Sequence, residues 1–165
     1  IAIKAAQTGH MVMSTLHTNS APETITRLIN MGVPQFNLAT TLSVIIAQRL
    51  ARRLCKTCAI PADDIPREIL LKEGFLEDEL DSLTMKHPNK EGCSNCNNGY
   101  KGRVGIYEVV RITPAISSLI MEGANSIVIG KQCREDGFPD LRRSALTKAG
   151  TGATSLEEVN RVTKD

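Results

Sequence analysis

Four cysteines stand in two pairs of identical spacing, Cys55-Lys56-Thr57-Cys58 and Cys93-Ser94-Asn95-Cys96. A Cys-x-x-Cys turn presents two thiolates to one ion, and two such turns supply the four soft ligands of a tetrahedral zinc site. A shell of four thiolates leaves no position for water, so the expected ion is structural and not catalytic. Lys56 and Asn97-Asn98-Gly99 suit tight turns whose backbone N–H groups can donate to sulfur. Unrelated free thiols or a redox Cys-x-x-Cys would use the same letters, but two pairs at matched spacing argue for a metal. His87 lies between the pairs and could replace a cysteine; a surface histidine is the simpler reading. Cys133 reads as a small buried hydrophobe.

A second chemical set lies near the start of the chain. His10-Met11-Val12-Met13-Ser14-Thr15-Leu16 is an apolar, β-compatible run, consistent with a buried strand whose residues 10, 12, 14 and 16 share a face. His17 falls in the polar loop at the strand's C-terminal end, the edge at which α/β sheets bind ligands. From spacing alone the two histidines could equally be a strand-start residue and a solvent-exposed loop residue. Neither G-x-x-x-x-G-K-[ST] nor G-x-G-x-x-G occurs, so the chain carries no glycine-rich phosphate loop.

These residues need elements to hold them. Residues 1 to 7 read as the end of a helix stopped by Thr8-Gly9. Ser20-Ala21-Pro22-Glu23 has capping-box spacing and opens a helix with Ile25, Leu28 and Ile29 on its apolar face. Residues 42 to 54 fit both periods: Leu42, Val44, Ile46, Leu50 and Leu54 alternate, while Leu42, Ile45, Ile46, Leu50 and Leu54 form a helical stripe. A helix through about Leu42 followed by a strand is the reading adopted, because Arg103 to Ile112 is rich in β-formers and needs a partner. The cysteine pairs sit at the two ends of the stretch between these strands. Its interior, Asp63 to Leu83, has helical spacing after Asp64-Ile65-Pro66. From Thr113-Pro114 onward the pattern is helical, with a second capping box at Ser155 to Glu158. The fold class is therefore α/β.

Length and charge bound the partners. The chain has 165 residues, 41% of them hydrophobic and 3% aromatic, with a formal net charge of +2. Near-balanced charge gives no electrostatic case for nucleic acid or an anionic membrane. No stretch approaches the roughly 20 apolar residues that span a bilayer. The first residues resemble the middle of an amphipathic helix, and the chain is expected to be a piece of a longer one.

Thr8-Gly9-His10-Met11-Val12-Met13-Ser14-Thr15-Leu16-His17-Thr18-Asn19 closely resembles the histidine box of the type II/type IV secretion ATPases. Leu54-Cys55 with Cys58, and Cys93-x-x-Cys96 followed by Gly99 to Glu108, resemble that family's zinc-binding region, and Ala47-Gln48-Arg49-Leu50 resembles its approach to the first pair. The likeness covers essentially the whole chain and is greatest to the type IV pilus extension branch. It implies the last part of a RecA-like P-loop NTPase core in residues 1–54, a zinc-binding insert in 55–101, and a strand plus helical subdomain in 102–165. It further implies a homo-hexameric motor that uses ATP and Mg2+ and acts on an inner-membrane platform protein. That motor would be cytoplasmic and peripheral on the inner face of the bacterial inner membrane, with no nucleic-acid partner. On this resemblance His17 reads the γ-phosphate or its attacking water, His10 and Thr15 support it, and Arg49 contacts nucleotide or a neighbouring subunit.

The family's phosphate loop, aspartate box and Walker B glutamate are expected before residue 1. Phosphoryl transfer rests on positioning by such a loop, its Lys and Mg2+, so this chain alone is expected to be inactive. The alternative is a stand-alone zinc-ribbon module that binds protein or nucleic acid. It would want a basic face with interleaved aromatics; Arg49, Arg52, Arg53 and Lys56 cluster, but Tyr100 and Tyr107 are the only tyrosines and Trp is absent.

Overall fold

The computed structural model describes residues 1–164. They fall into two compact units, each built from two separated stretches: residues 1–47 with 108–140, and residues 48–107 with 141–165. Two long strands, β1 (Val44–Leu54) and β4 (Tyr100–Arg111), pair with each other and carry residues of both units. Ile112 N–H donates to Ser43 O at one end of the pair and Cys55 N–H to Gly99 O at the other, so the strands run antiparallel.

The first unit holds α1 (Ala2–Gln7), α2 (Ala21–Asn30), α3 (Gln35–Thr41), α5 (Pro114–Met121) and α6 (Ser126–Glu135). Three of these five helices start on a side-chain cap. Ser20, Thr113 and Asn125 accept from the backbone N–H groups of Glu23, Ile116 and Val128, groups the helix itself leaves unbonded. Helix α2 packs on α6, and α5 on both α3 and α6. Their apolar stripes close over the start of β1 and the end of β4 in one cluster: Ile25, Leu38, Ile45, Val110, Ile116, Ile120, Ile129 and Cys133. Burying each such side chain is worth roughly 1.5–3 kcal/mol, which this aromatic-poor chain obtains from aliphatics. Glu108, also buried, accepts the N–H of Ala21 at 2.9 Å and so satisfies the first turn of α2. Burial raises its pKa above the ordinary glutamate range.

The second unit holds the far ends of the long strands, a two-residue antiparallel pair β2 (Ile60–Pro61) and β3 (Lys86–His87), α4 (Arg67–Glu73), a 3-10 turn at Glu77–Ser82, α7 (Leu141–Gly150) and α8 (Leu156–Thr163). Leu70, Phe75, Leu80 and Met85 give the stretch between the cysteine pairs its own buried side chains. That stretch rests on α7. A Cβ added to Gly150 would meet Leu83 Cδ2 at 2.9 Å, and one added to Gly74 would meet Leu146 Cδ1 at 3.1 Å. Arg142 donates to both the backbone and the carboxylate of Glu73, and Arg143 forks onto Glu79. Among the described residues no helix is long and apolar enough to cross a membrane.

One expectation changes. His10–Leu16 forms neither strand nor helix, and Met11 and Met13 are 92% and 90% exposed. A buried strand needs neighbours for its backbone groups, and among the described residues none pairs with it. Three of the large residues of the alternation in β1 lie on the face away from the core, whereas Leu54 at its end is buried. Val44, Ile46 and Leu50 are exposed, while Ile45, Ala47 and Ala51 are buried. Period-2 spacing identifies a shared face but not its side of the sheet.

Candidate metal centre and histidine loop

Cys55 directly follows Leu54, the last residue of β1, and is 1% exposed. Its N–H donates to Gly99 O at 2.8 Å, which brings the end of β1 against the approach to β4. Ala59 N–H returns to Cys55 O, closing the first Cys-x-x-Cys turn, and Cys96 N–H returns to Cys93 O, closing the second. Asn97 and Tyr100 exchange both backbone bonds across Asn98-Gly99, whose φ angles are 50° and 83°. Positive φ at both central residues is the type I′ hairpin turn, favoured by Asn-Gly and matched to the twist of paired strands.

The four sulfur atoms lie within 4.8 Å of one another. Cys55–Cys93 is 3.8 Å, Cys58–Cys96 3.6 Å and Cys93–Cys96 3.5 Å. A tetrahedral ion with metal–sulfur bonds of about 2.3 Å needs sulfurs about 3.8 Å apart, so this donor set fits one zinc-sized ion. Cys93 N–H points at Cys96 Sγ at 3.3 Å, the kind of outer contact that orients a thiolate ligand. The N–H groups of Thr57 and Cys58 pull the Cys55 thiol down to about 6, whereas burial first, and its sulfur neighbours next, push Cys58 up to about 12. Without a cation, four adjacent thiols resist carrying several charges together; a divalent ion would draw the protons off as it binds.

Gly99 is fixed by space as well as by φ. A Cβ there would sit 2.7 Å from both Asn89 N and Asn89 O. Gly99→Ala is therefore expected to cost roughly 2–3 kcal/mol of stability, read by urea unfolding, and to weaken metal uptake in a chelator competition. Wild-type values for both would refute the geometry.

His87 does not join the sulfurs. Its Nε2 lies 2.7 Å from Asp64 Oδ1, and this contact lowers the Asp64 pKa. Cys133 belongs to the buried cluster of the other unit, where burial pushes its thiol up to about 11.

The histidines lie in a segment outside helix and strand. His10 Nδ1 lies 3.1 Å from Thr8 Oγ1 and 3.3 Å from Ala5 O, against the end of α1. Thr15 and His17 are exposed, three residues separating His17 from the start of α2. Thr18 Oγ1 bonds Thr24 Oγ1 at 2.7 Å, and Asn19 N–H donates to Glu23, so the loop is tied to the first turn of that helix. Arg49 is half-buried on β1 and belongs to the second unit.

The sequence did not reveal one network. Ser155 and Glu158 have capping-box spacing, and Ser155 does accept Glu158 N–H. Glu158's carboxylate, however, turns to Arg52 N–H at 2.7 Å, to the Arg52 guanidinium and to Arg161. Arg52 lies 4.2 Å over the Tyr100 ring, and Tyr100 Oη meets Ser155 Oγ at 2.7 Å. Only the basic cluster around Arg52 hinted at it.

The model of the type II/IV secretion system protein family matches residues 1–161. The chain belongs to this family. Among the relatives of this family member, the type IV pilus assembly ATPase PilB of Pseudomonas aeruginosa is 66% identical over all 165 residues, which are 29% of that protein's length. The type II secretion system protein E of Aeromonas hydrophila is 41% identical, with the whole chain matching 32% of its length. The chain thus spans less than a third of these relatives. In solved structures, the pilus retraction motor PilT with bound ADP shares the fold at a TM-score of 0.63 and 23% identity, covering 99% of this chain and 35% of that one. Because the likeness runs along the whole chain and not only around the cysteines, the stand-alone module loses its ground.

Proposed function

We propose that the chain is the end of the RecA-like core, residues 1–54, together with a zinc-binding insert, 55–101, and a helical subdomain, 102–165, of a hexameric motor ATPase. That motor would couple ATP hydrolysis, with Mg2+, to type IV pilus assembly, or to type II secretion in the nearest variant of the reading. It would act on an inner-membrane platform protein from the cytoplasmic side. The observation that carries this is the 66% identity to a pilus assembly ATPase across every residue of the chain.

Cys55, Cys58, Cys93 and Cys96 would hold one zinc ion. A closed four-thiolate site supplies no catalytic water; it would only cross-link the insert at its base. Support comes from sulfur separations of 3.5–3.8 Å.

His17 would touch the γ-phosphate or its attacking water, with His10 and Thr15 behind it and Arg49 as a further nucleotide or interface contact. Support comes from the exposed position of His17 in a loop tied to the first turn of α2. In the full-length motor, His17→Ala is expected to lower ATP turnover by roughly 10²-fold, the size seen when one donor to a reacting oxyanion is removed. Nucleotide affinity should move little. Unchanged turnover would remove His17 from the mechanism.

A further inference from the structure

We propose that the four-cysteine centre and the last helix, α8, are energetically coupled, so that metal binding and the seating of α8 strengthen one another. The inference rests on reading the cysteine cluster as a metal site.

The leader of α8 grips both strands beside the ligands. Leu54 N–H, one residue before Cys55, donates to Ala153 O at 3.0 Å. Thr154 Oγ1 donates to Arg52 O at 2.8 Å. Glu158, 0% exposed, takes the N–H of Arg52 and both flanking guanidiniums. On the other strand, Tyr100, four residues after Cys96, meets Ser155 Oγ. Thr154, Ser155 and the Glu158 carboxylate are buried, while the Arg52 and Arg161 side chains that reach Glu158 stay about half exposed, so this end of each bond is shielded from water.

The geometry gives both devices the same task. The metal needs Cys55 at the end of β1 held against the Cys93–Cys96 turn that leads into β4. The α8 leader holds the end of β1 and the start of β4 at one separation, with the Cys55–Gly99 bond between them. Two constraints on one separation cooperate, since whichever forms first removes the ordering cost of the other. Linkage makes the effect reciprocal: the factor by which metal favours the seated helix is the factor by which the seated helix favours metal.

Amide hydrogen exchange on the full chain, zinc-loaded or stripped by a chelator under reducing conditions, tests this. Stripping should speed exchange in Leu156–Thr163 by between roughly 5- and 150-fold, the usual range of coupling between sites, and leave α5 and α6 unchanged. In a chromophoric chelator competition, Glu158→Gln should weaken zinc binding by a factor in the same range. Tyr100→Phe keeps the ring under Arg52 and loses only the hydroxyl, so it decides the matter should Glu158→Gln fail to fold; it should weaken zinc binding by a smaller factor. The coupling is overturned if stripping loosens residues 55–58 and 93–96 but leaves α8 unchanged, or if neither variant alters zinc affinity. A wild-type chain that takes up no zinc overturns the metal reading itself.

Discussion

Cys93→Ser is expected to abolish stoichiometric zinc and to lower the melting temperature of the second unit by on the order of 15 °C or more. Reduced wild-type protein should carry about one zinc per chain by elemental analysis. At free zinc a thousandfold above the dissociation constant, binding contributes about 4 kcal/mol to the unit that binds. For a unit of this size each kcal/mol moves the midpoint by roughly 4–8 °C. The unit should not unfold outright, unlike an isolated zinc finger. It keeps the side chains of Leu70, Phe75 and Leu80, which are buried, and the Arg142–Glu73 and Arg143–Glu79 pairs. The apolar cluster around Ile25, Ile116 and Ile129 belongs to the other unit and should keep its exchange protection. Unaltered zinc content would sink the four-thiolate site. Parallel loss of protection around Ile116 would show that the units do not melt separately.

Much of the local structure was legible because it follows local rules. Ser20, Thr113 and Ser155 cap the helices where their spacing placed them, since a cap needs only a side chain and an N–H three residues on. The change from helix to strand near Leu42 also held, with α3 ending at Thr41 and β1 starting at Val44. The cysteines come together as their spacing required. What escaped the sequence was nonlocal. Whether His10–Leu16 pairs as a strand depends on neighbours its letters cannot specify. Which face of β1 is covered depends on where the helices lie, and small Ala47 and Ala51 go inside while larger Ile46 and Leu50 stay out. The helical spacing of Asp63–Leu83 resolved into α4, ended by Gly74 at φ 112°, and a 3-10 turn. Glu158 looked like half of a local cap, and nothing in four adjacent letters indicates that its carboxylate reaches a residue 106 positions away.

That long reach makes Glu158 the main acid-sensitive group of the second unit. Burial by itself would raise its carboxyl, but the Arg161 and Arg52 guanidiniums and the Arg52 N–H outweigh burial and hold it at about 2. In the unfolded chain a glutamate titrates near 4.3. A depressed pKa contributes stability that is complete above the unfolded value and is lost as pH falls toward the folded one. A shift of this size corresponds to on the order of 3 kcal/mol, lost between about pH 5 and pH 2. Glu73 and Glu79, lowered by Lys164 and Arg143, act in the same direction. Glu108 in the first unit acts oppositely: burial raises it, so its contribution is complete at low pH and declines as pH rises past the ordinary glutamate range. Acid also removes thiolate-bound metal, so the comparison belongs between metal-free wild type and metal-free Glu158→Gln, each followed by urea unfolding from pH 6 to pH 2. Glu158→Gln should be the less stable of the two at pH 6 and should lose much less stability on acidification, so that the two curves converge near pH 2. Parallel curves would show that Glu158 carries its charge without stabilising the fold.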